Sequence, residues 1–220
     1  MLAEHPSTGL WPLLLHSHDL YDSDFSPWAT GELFPERMSS PDAHDPAEIL
    51  AAWWSGSTPL DEADSMLLPV TPPFGQVGPA LVPGPTSGTD ADEAAIECAG
   101  HSVSRRPQSR LGLVPAESGA RALTAVGWDG PLNHDNDTAK FSAVVRDWER
   151  RFDARVVALG PNTLHLSITA PPTNTEDALL VAAEHFAFCP DTIWQGPHPH
   201  TLARYAERLV GTRCWEFWWD

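Results

Sequence analysis

The chain has 220 residues and a mass of 24.0 kDa, with 30 acidic and 13 basic side chains and a formal net charge of −17. Hydrophobic residues make up 42% of it and include ten tryptophans, which excludes a wholly disordered protein. The acidity argues against binding to nucleic acid or to an anionic membrane, because few cations are available to neutralise phosphates. This length suits one large domain or two small ones.

The acidic charge is concentrated in the first half of the chain. Residues 1–104 hold 16 acidic side chains and one arginine, a net charge of −15, whereas residues 105–220 have a net charge of −2. The first segment also contains 13 of the 22 prolines, which break up long helices. We therefore predict an acidic, proline-rich, irregular region over 1–104 and an α+β domain over 105–220. Whether 1–104 folds alone or wraps the second half stays open.

The cysteines and the N-terminus indicate where the protein works. Cys98, Cys189 and Cys214 are widely spaced, which favours reduced thiols over a disulfide framework. Residues 1–18 lack lysine and arginine, and the apolar run Leu10–Leu15 is short, which argues against a signal peptide. No stretch approaches the ~20 apolar residues of a membrane span. We therefore expect a cytoplasmic protein that binds no membrane.

The first half predicts one clear helix, over Asp45–Trp54. Asp45 suits the N-cap, and Pro46 suits the first helical position, where its missing N–H costs nothing. Residues 69–89 are rich in proline and glycine and predict an irregular loop or linker. The small, acidic stretch after them indicates a short helix through Ala94–Cys98.

The second half predicts elements in the order β-α-α-β-β-α-α-β. The predicted strands are 111–115, 155–159, 163–169 and 214–220, and the predicted helices are 118–126, 138–152, 175–188 and about 200–210. Gly127 and Gly211 end helices, Gly160-Pro161-Asn162 forms a hairpin turn, and Thr173–Glu176 has the capping-box pattern. Because one strand pair is a hairpin, we predict an α+β fold, with a mixed β-sheet flanked by helices.

Helix 138–152 and strand 163–169 carry the clearest hydrophobic patterns. In the helix, an apolar stripe repeats with a period of about 3.6 residues, formed by Phe141, Val144, Val145, Trp148 and Phe152. Its outer face is expected to pair Asp147 with Arg151 at i, i+4. In the strand, Leu164, Leu166 and Ile168 face one way and His165, Ser167 and Thr169 the other.

Several short motifs together resemble a known family. The motifs are Gly9–Leu15, Pro27-Trp28 with Gly31–Leu33, Pro73–Gly75, Leu111–Pro115, Gly127–Asn133, Ala183–Asp191, Gln195-Gly196 and Phe217–Asp220. They resemble the bacterial family named domain of unknown function 4253, specifically over about 110–220 and more loosely over 1–104. Its hallmark Cys-Pro-Asp stands here as Cys189, Pro190 and Asp191, whereas the inserted His198-Pro199-His200 departs from the family's spacing. The resemblance implies no activity and no catalytic residue.

Helix 175–188 places ionisable side chains in an apolar setting. It is apolar nearly all round, which indicates burial, yet it contains Glu184 and His185 and is followed by Cys189 and Asp191. Buried ionisable groups need partners. These four residues are therefore our candidates for a catalytic site, with a thiolate nucleophile as one version and a metal held by His185, Cys189 and Asp191 as another. The alternative is structural: a paired Glu184, a satisfied core histidine, an inert buried thiol and a turn at Pro190-Asp191.

Further residues are candidates for binding. They are Asn133, Gln195, Trp218, Trp219 and Asp220. Trp218-Trp219 could form an exposed aromatic ledge for a ligand or partner. The alternative places the last strand in the centre of the sheet with both faces in the core.

Other patterns are weaker. Residues 128–138 lack the spacing of an EF-hand, and Asp137 is better explained as a helix N-cap. His16-Ser17-His18-Asp19 is a loose His/Asp cluster in an acidic region. Arg105, Arg106 and Arg110 form the one basic patch, which is too small for nucleic acid but could dock the acidic half.

Two classes of function follow from these observations. The first is a binding or interaction module without enzymatic activity or cofactor, whose sharpest version antagonises a basic protein partner, as in toxin–immunity pairs. The second is a small hydrolase-type or metal-binding enzyme that uses Glu184, His185, Cys189 and Asp191, with a divalent metal as its cofactor. The substrate, the partner and the oligomeric state do not follow from the sequence.

Overall fold

The computed structural model describes residues 2–17, 34–58, 70–85, 88 and 90–220. The strands are β1 (Leu10–Leu15), β2 (Arg110–Pro115), β3 (Arg155–Leu159), β4 (Thr163–Ser167) and β5 (Cys214–Trp218). The helices are α1 (His5–Thr8), α2 (Pro46–Ser57), α3 (Ala91–Arg105), α4 (Gly119–Ala125), α5 (Thr138–Phe152), α6 (Thr175–Phe188), α7 (Asp191–Trp194) and α8 (Leu202–Leu209). Three 3₁₀ turns lie at Leu2–Glu4, Pro35–Arg37 and Pro41–Ala43. The motifs at 27–28 and 31–33 and the residues His18 and Asp19 lie outside the described residues.

The described strands form one mixed sheet in the order β2-β1-β3-β4-β5. Strand β1 is antiparallel to β2 and parallel to β3, and the remaining neighbours are antiparallel. The predicted α+β class, with a mixed sheet flanked by helices, is confirmed. Strand β1 was not predicted, because Pro12 lacks an amide donor and interrupts the run. The fold accommodates Pro12 because pairing with β3 involves only Leu14 and Leu15.

In its β4–β5 half, the sheet has one apolar face and one polar face. Leu164, Leu166, Trp215, Phe217 and Trp219 are buried on the apolar face. Helices α5 and α6 cover this face: Trp148 of α5 stacks on Phe217 with ring centroids 5.4 Å apart. Helix α2 packs behind them, against both α5 and α6. All five residues of the apolar stripe predicted for α5 are fully buried, which confirms that this face of the helix packs on the core.

Helix α3 packs on the polar face of the sheet, against β3 and β4. This face presents His165 and Ser167 from β4 and Cys214, Glu216 and Trp218 from β5, in the predicted alternation for β4. Helix α3 is longer than predicted, because its N-terminal Asp90 caps the amides of Asp92 and Glu93 and its small residues continue to Arg105. Strand β5 is an edge of the sheet and not a central strand, and Trp218 on it is half-buried.

Capping residues set most helix boundaries. The side chains of Asp45 and Asp137 accept hydrogen bonds from the first amides of α2 and α5, as predicted. Helix α6 is capped by Asn174 and not by the capping-box Thr173, because the Asn174 side chain accepts from the amide of Asp177. Gly127, with φ 63°, follows α4 in the left-handed region that glycine tolerates.

Ion pairs join the two halves of the chain. Asp42 binds both Arg121 and Arg146, and Asp92 binds Arg155 at 3.3 Å. Hydrogen bonds from the two guanidinium groups hold the pKa of Asp42 below its usual value. Among the described residues, the acidic half is therefore joined to the second half by ion pairs with Arg121, Arg146 and Arg155. Within the described residues, no helix combines the length and the apolar character that a bilayer span requires.

Because β1 is bonded on both sides, we expect core truncation there to be costly. Leu13→Ala removes a fully buried side chain of β1 and should lower the free energy of unfolding by about 2–5 kcal/mol. The matched control is Leu111→Ala on edge strand β2, where the side chain is 49% exposed and the loss should stay below about 1 kcal/mol. Urea unfolding measures both, and equal losses would contradict the central role of β1.

Candidate functional site

The predicted catalytic residue Glu184 lies in a buried ion-pair network. Its carboxylate accepts two hydrogen bonds from Arg151, at 3.0 and 2.6 Å, and one from the indole N–H of Trp148, at 2.8 Å. Burial raises the pKa of Glu184, and Arg151 and Trp148 oppose that rise. The carboxylate is thus engaged in holding α5 and α6 together, which is the structural alternative described above.

Arg151 is the centre of this network. Besides Glu184, it binds Asp147 at 2.6 Å and the carbonyl of Val82 at 2.8 Å. Although burial lowers the pKa of Arg151, the two carboxylates raise it overall, so the group stays charged. The predicted pair of Asp147 and Arg151 exists, but its position on an outer face was wrong: α2 and the 70–85 segment cover it, and only 14% of the Arg151 side chain is exposed.

His185 lies on a different face of α6, in the aromatic core. Its Nδ1 is 3.0 Å from the hydroxyl of Tyr205, and its ring meets Trp215 and Phe217 edge-on. Burial, and the charge of Arg151, lower the pKa of His185 to about 3. The imidazole is therefore neutral at pH 7 and behaves as a core side chain.

Cys189 is buried at the end of α6. Its thiol donates to the carbonyl of Trp218 at 2.9 Å and accepts from the hydroxyl of Thr192 at 3.1 Å. Burial raises the pKa of Cys189 to about 12. A thiol in this environment stays protonated at neutral pH, so it is not the activated thiolate that nucleophilic catalysis requires.

The remaining candidates gather at the end of β5. Asp191 accepts from the amide of Asp220 at 3.1 Å, and Gln195 bridges Asp191 and Asp220 with two contacts of 3.3 Å. Asp191, Gln195 and Trp218 line an open groove of about 420 Å³. Trp219 points into the core, and Asn133 is exposed on its loop.

The four candidate catalytic residues therefore do not share one cleft. Glu184 and His185 project from different faces of α6, about 100° apart, and Cys189 and Asp191 lie beyond its end. In the part of the chain that the structure describes, no group of three or more His, Cys, Asp and Glu side chains is arranged to hold a metal. The predicted metal set of His185, Cys189 and Asp191 is thus not assembled.

A different site lies between α3 and the polar face of the sheet. It is a cavity of about 290 Å³ lined by Cys98, His101, Ser102, Arg105, Arg106, His165, Cys214, Trp215 and Glu216. We call it the histidine cavity. It shares Cys214, Trp215 and Glu216 with the groove at the end of β5, so the two depressions are adjoining.

Two buried histidines lie side by side at the histidine cavity, and His165 is the one that lines it. His16, directly after β1, is 1% exposed, and its ring meets that of His165 edge-on at 5.0 Å. Nε2 of His16 is 3.2 Å from the hydroxyl of Ser102. Nδ1 of His16 and Nε2 of His165 are both buried and have no hydrogen-bond partner among the described residues.

The electrostatics of the histidine cavity favour an anion. Arg105 and Arg106, at the end of α3, form no ion pair with any described side chain. Burial lowers the pKa values of His16 and His165 to about 4, and Arg106 adds to both shifts. Both rings are neutral at pH 7, so the 3.7 Å approach of His165 to Glu216 is not an ion pair there. Two guanidinium groups thus stand opposite one carboxylate, and the imidazoles supply neutral donors.

The sequence indicated several of the residues of this cavity individually, but it did not indicate that they lie together. The alternation of β4 placed His165 on a polar face, and Arg105 and Arg106 formed the one basic patch. His16 belonged to a loose cluster, and Cys98 and Cys214 were noted only for their spacing. Because β1 and α3 were not predicted as they stand, nothing in the sequence brought these residues together.

Comparison with known proteins identifies one match. A family model described as a domain of unknown function (DUF4253) matches residues 110–220. The matched range contains β2 to β5 and therefore His165, Cys214 and Glu216, whereas His16, Ser102 and the two arginines precede it. Neither the comparison with curated proteins nor the comparison with solved structures found a match.

The structural role of the buried ion pair between Arg151 and Glu184 can be tested by mutation. Arg151→Met leaves the Glu184 carboxylate buried without its cation and should lower the free energy of unfolding by about 3–5 kcal/mol. The matched control is Arg150→Met, because Arg150 binds the same Asp147 but is 64% exposed, so its loss should stay within about 1 kcal/mol. Urea unfolding at neutral pH measures both variants, and a mild Arg151→Met variant would contradict the role assigned to the network.

Proposed function

The chain belongs to the DUF4253 family, and we propose that it is a binding module that takes a small anionic ligand into the histidine cavity. A phosphate or carboxylate group would lie against Arg105 and Arg106, with the imidazole of His165 on the same wall. The observation that carries the proposal is a cavity whose wall brings Arg105, Arg106 and His165 together, where neither arginine forms an ion pair with a carboxylate of the described residues.

The size and chemistry of the cavity support this class of ligand. A volume of about 290 Å³ lies at the lower limit of small-molecule sites, so the cavity suits one compact group. Arginine binds carboxylate and phosphate oxygens with paired, charge-assisted hydrogen bonds. Glu216 disfavours a ligand placed close to β5, which directs the anion toward α3.

Isothermal titration calorimetry with inorganic phosphate, sulfate and acetate tests the proposal. We expect saturable binding of at least one anion, and Arg106→Ala should weaken it by about 10-fold or more, because a charge-assisted hydrogen bond contributes about 1.5–3 kcal/mol. The control is Arg204→Ala, which removes an exposed arginine paired with Glu207 on α8 and should leave affinity unchanged. Equal affinities in the two variants, or no binding of any of the three anions, would overturn the proposal.

The pH dependence supplies an independent readout of the same site. A bound anion favours the protonated form of His16 and His165, whose pKa values in the free protein are about 4. Affinity for sulfate, which stays ionised, should therefore rise as the pH falls from 7 toward 5. In His165→Gln the rise should be smaller, because one of the two titrating rings is gone.

Binding to a basic protein is a second candidate function. Of the acidic side chains described in residues 1–104, Asp42 and Asp92 form ion pairs within the chain. The others are exposed and pair with no described cation: Glu4, Glu36, Asp45, Glu48, Asp90, Glu93 and Glu97. The negative charge of these exposed side chains favours fast association with a positive surface, as in the antagonism of a basic toxin by its immunity protein.

Affinity capture from native lysate, followed by mass spectrometry and binding kinetics, tests this candidate. A captured basic partner should associate about 10-fold more slowly or worse at high salt, because long-range attraction is screened. Reversal of Glu93 and Glu97 to lysine should slow association similarly, whereas reversal of Glu207, an exposed acid of α8, should not. If the association rate of the partner changes neither with salt concentration nor on reversal of Glu93 and Glu97, the electrostatic mechanism is contradicted.

A further inference from the structure

We propose that Cys214 is a peroxide-reactive thiol and that Cys98 resolves it as a disulfide across the wall of the histidine cavity. The thiol chemistry stands on its own geometry, and its effect on anion binding rests on the proposed function. The class of substrate is a hydroperoxide, either hydrogen peroxide or an organic one.

The placement of the two cysteines supports the proposal. Cys98 belongs to α3 and Cys214 is the first residue of β5, so they come from the two walls of the same cavity. Both side chains line this one cavity, so the two thiols face the same space. Cys214 is exposed and Cys98 is buried, at 8% exposure. An accessible thiol beside a protected one is the arrangement of reactive and resolving cysteines.

The electrostatics assign the two roles. Interaction between the two thiols lowers the pKa of Cys214 and raises that of Cys98, so the thiolate is favoured on the accessible sulfur. Burial and Glu216 oppose the lowering at Cys214. Arg105 and Arg106 line the same cavity. The third cysteine, Cys189, is buried and has a pKa raised to about 12, which makes it an internal control.

The reaction balances with the peroxide as the only oxidant. The Cys214 thiolate attacks one peroxide oxygen, the O–O bond breaks, and the leaving alkoxide or hydroxide takes a proton to become an alcohol or water. The Cys214 sulfenic acid is then attacked by the Cys98 sulfur. The S–O bond breaks, and water leaves with the proton of the Cys98 thiol. In sum, two thiols and one hydroperoxide give one disulfide, one alcohol or water, and one further water.

The disulfide would change the cavity. It ties α3 to β5 across one wall and draws the two elements together, which reduces the room beside Arg105. We therefore expect the oxidised protein to bind phosphate more weakly than the reduced protein.

The test treats the full chain with hydrogen peroxide and counts free thiols after denaturation. We expect the count to fall from three to one per chain, with peptide mapping that finds a Cys98–Cys214 disulfide within one chain. In Cys98→Ser the intermediate cannot be resolved, so dimedone should label Cys214. In Cys214→Ser, Cys98 and Cys189 should both stay reduced, and this exposed substitution should leave stability unchanged. Three remaining thiols, dimedone on Cys189, or disulfides between chains would overturn the inference.

The two proposals fail in distinguishable ways. Thiol counting needs no anion, so a disulfide in a protein that binds phosphate in neither state overturns only the proposed function. Phosphate binding with no disulfide overturns only the thiol chemistry. If both occur, oxidised protein and reduced protein are compared by calorimetry, and equal affinities would overturn the regulatory link.

Discussion

Backbone pairing on both sides of β1 is the interaction that the rest of the structure depends on. Strand β1 pairs with β2 over six residues and continues into β3, so β2 reaches the sheet only through it. The strand comes from the acidic first half and its neighbours come from the second. Both halves consequently share one sheet and one core, which extends from Leu2 to Trp219. The same pairing places His16 at the sheet's polar face, because His16 directly follows β1.

The polar face of the sheet becomes a site because α3 covers it. The apolar face is filled by aromatic rings, and its one charged network, around Arg151, is closed by carboxylates and carbonyl groups. On the other face, α3 leaves space above the histidines, and its last turn carries Arg105 and Arg106. The contrast is physical: Glu184 and Arg151 are buried with a full set of partners and stabilise the fold, whereas Arg105 and Arg106 line a cavity and pair with no described carboxylate.

Acidic charge plays two roles in this arrangement. Asp42 and Asp92 neutralise arginines of the second half and fix the first half on it. The acids that remain exposed surround a protein whose histidine cavity is locally positive. An anionic ligand would therefore approach through a generally repulsive field, which favours short-range recognition by the cavity over long-range attraction. A basic protein would be attracted by the same field.

Local patterns in the sequence determined much of the fold. The caps Asp45 and Asp137, the stripe of α5 and the alternation of β4 all act through neighbours in sequence, and the structure confirms each of them. The pairing of β1 depends on partners about a hundred or more residues away in sequence. It was not predicted, because Pro12 interrupts the apolar run of this strand. The burial of Glu184 was predicted, but its partner Arg151 comes from another helix. Only the tertiary structure decided that Glu184 and Arg151 pair with each other, while His165 and Arg106 line one cavity and His16 packs against His165. These contacts depend on packing between elements that are distant in sequence, which no local pattern records.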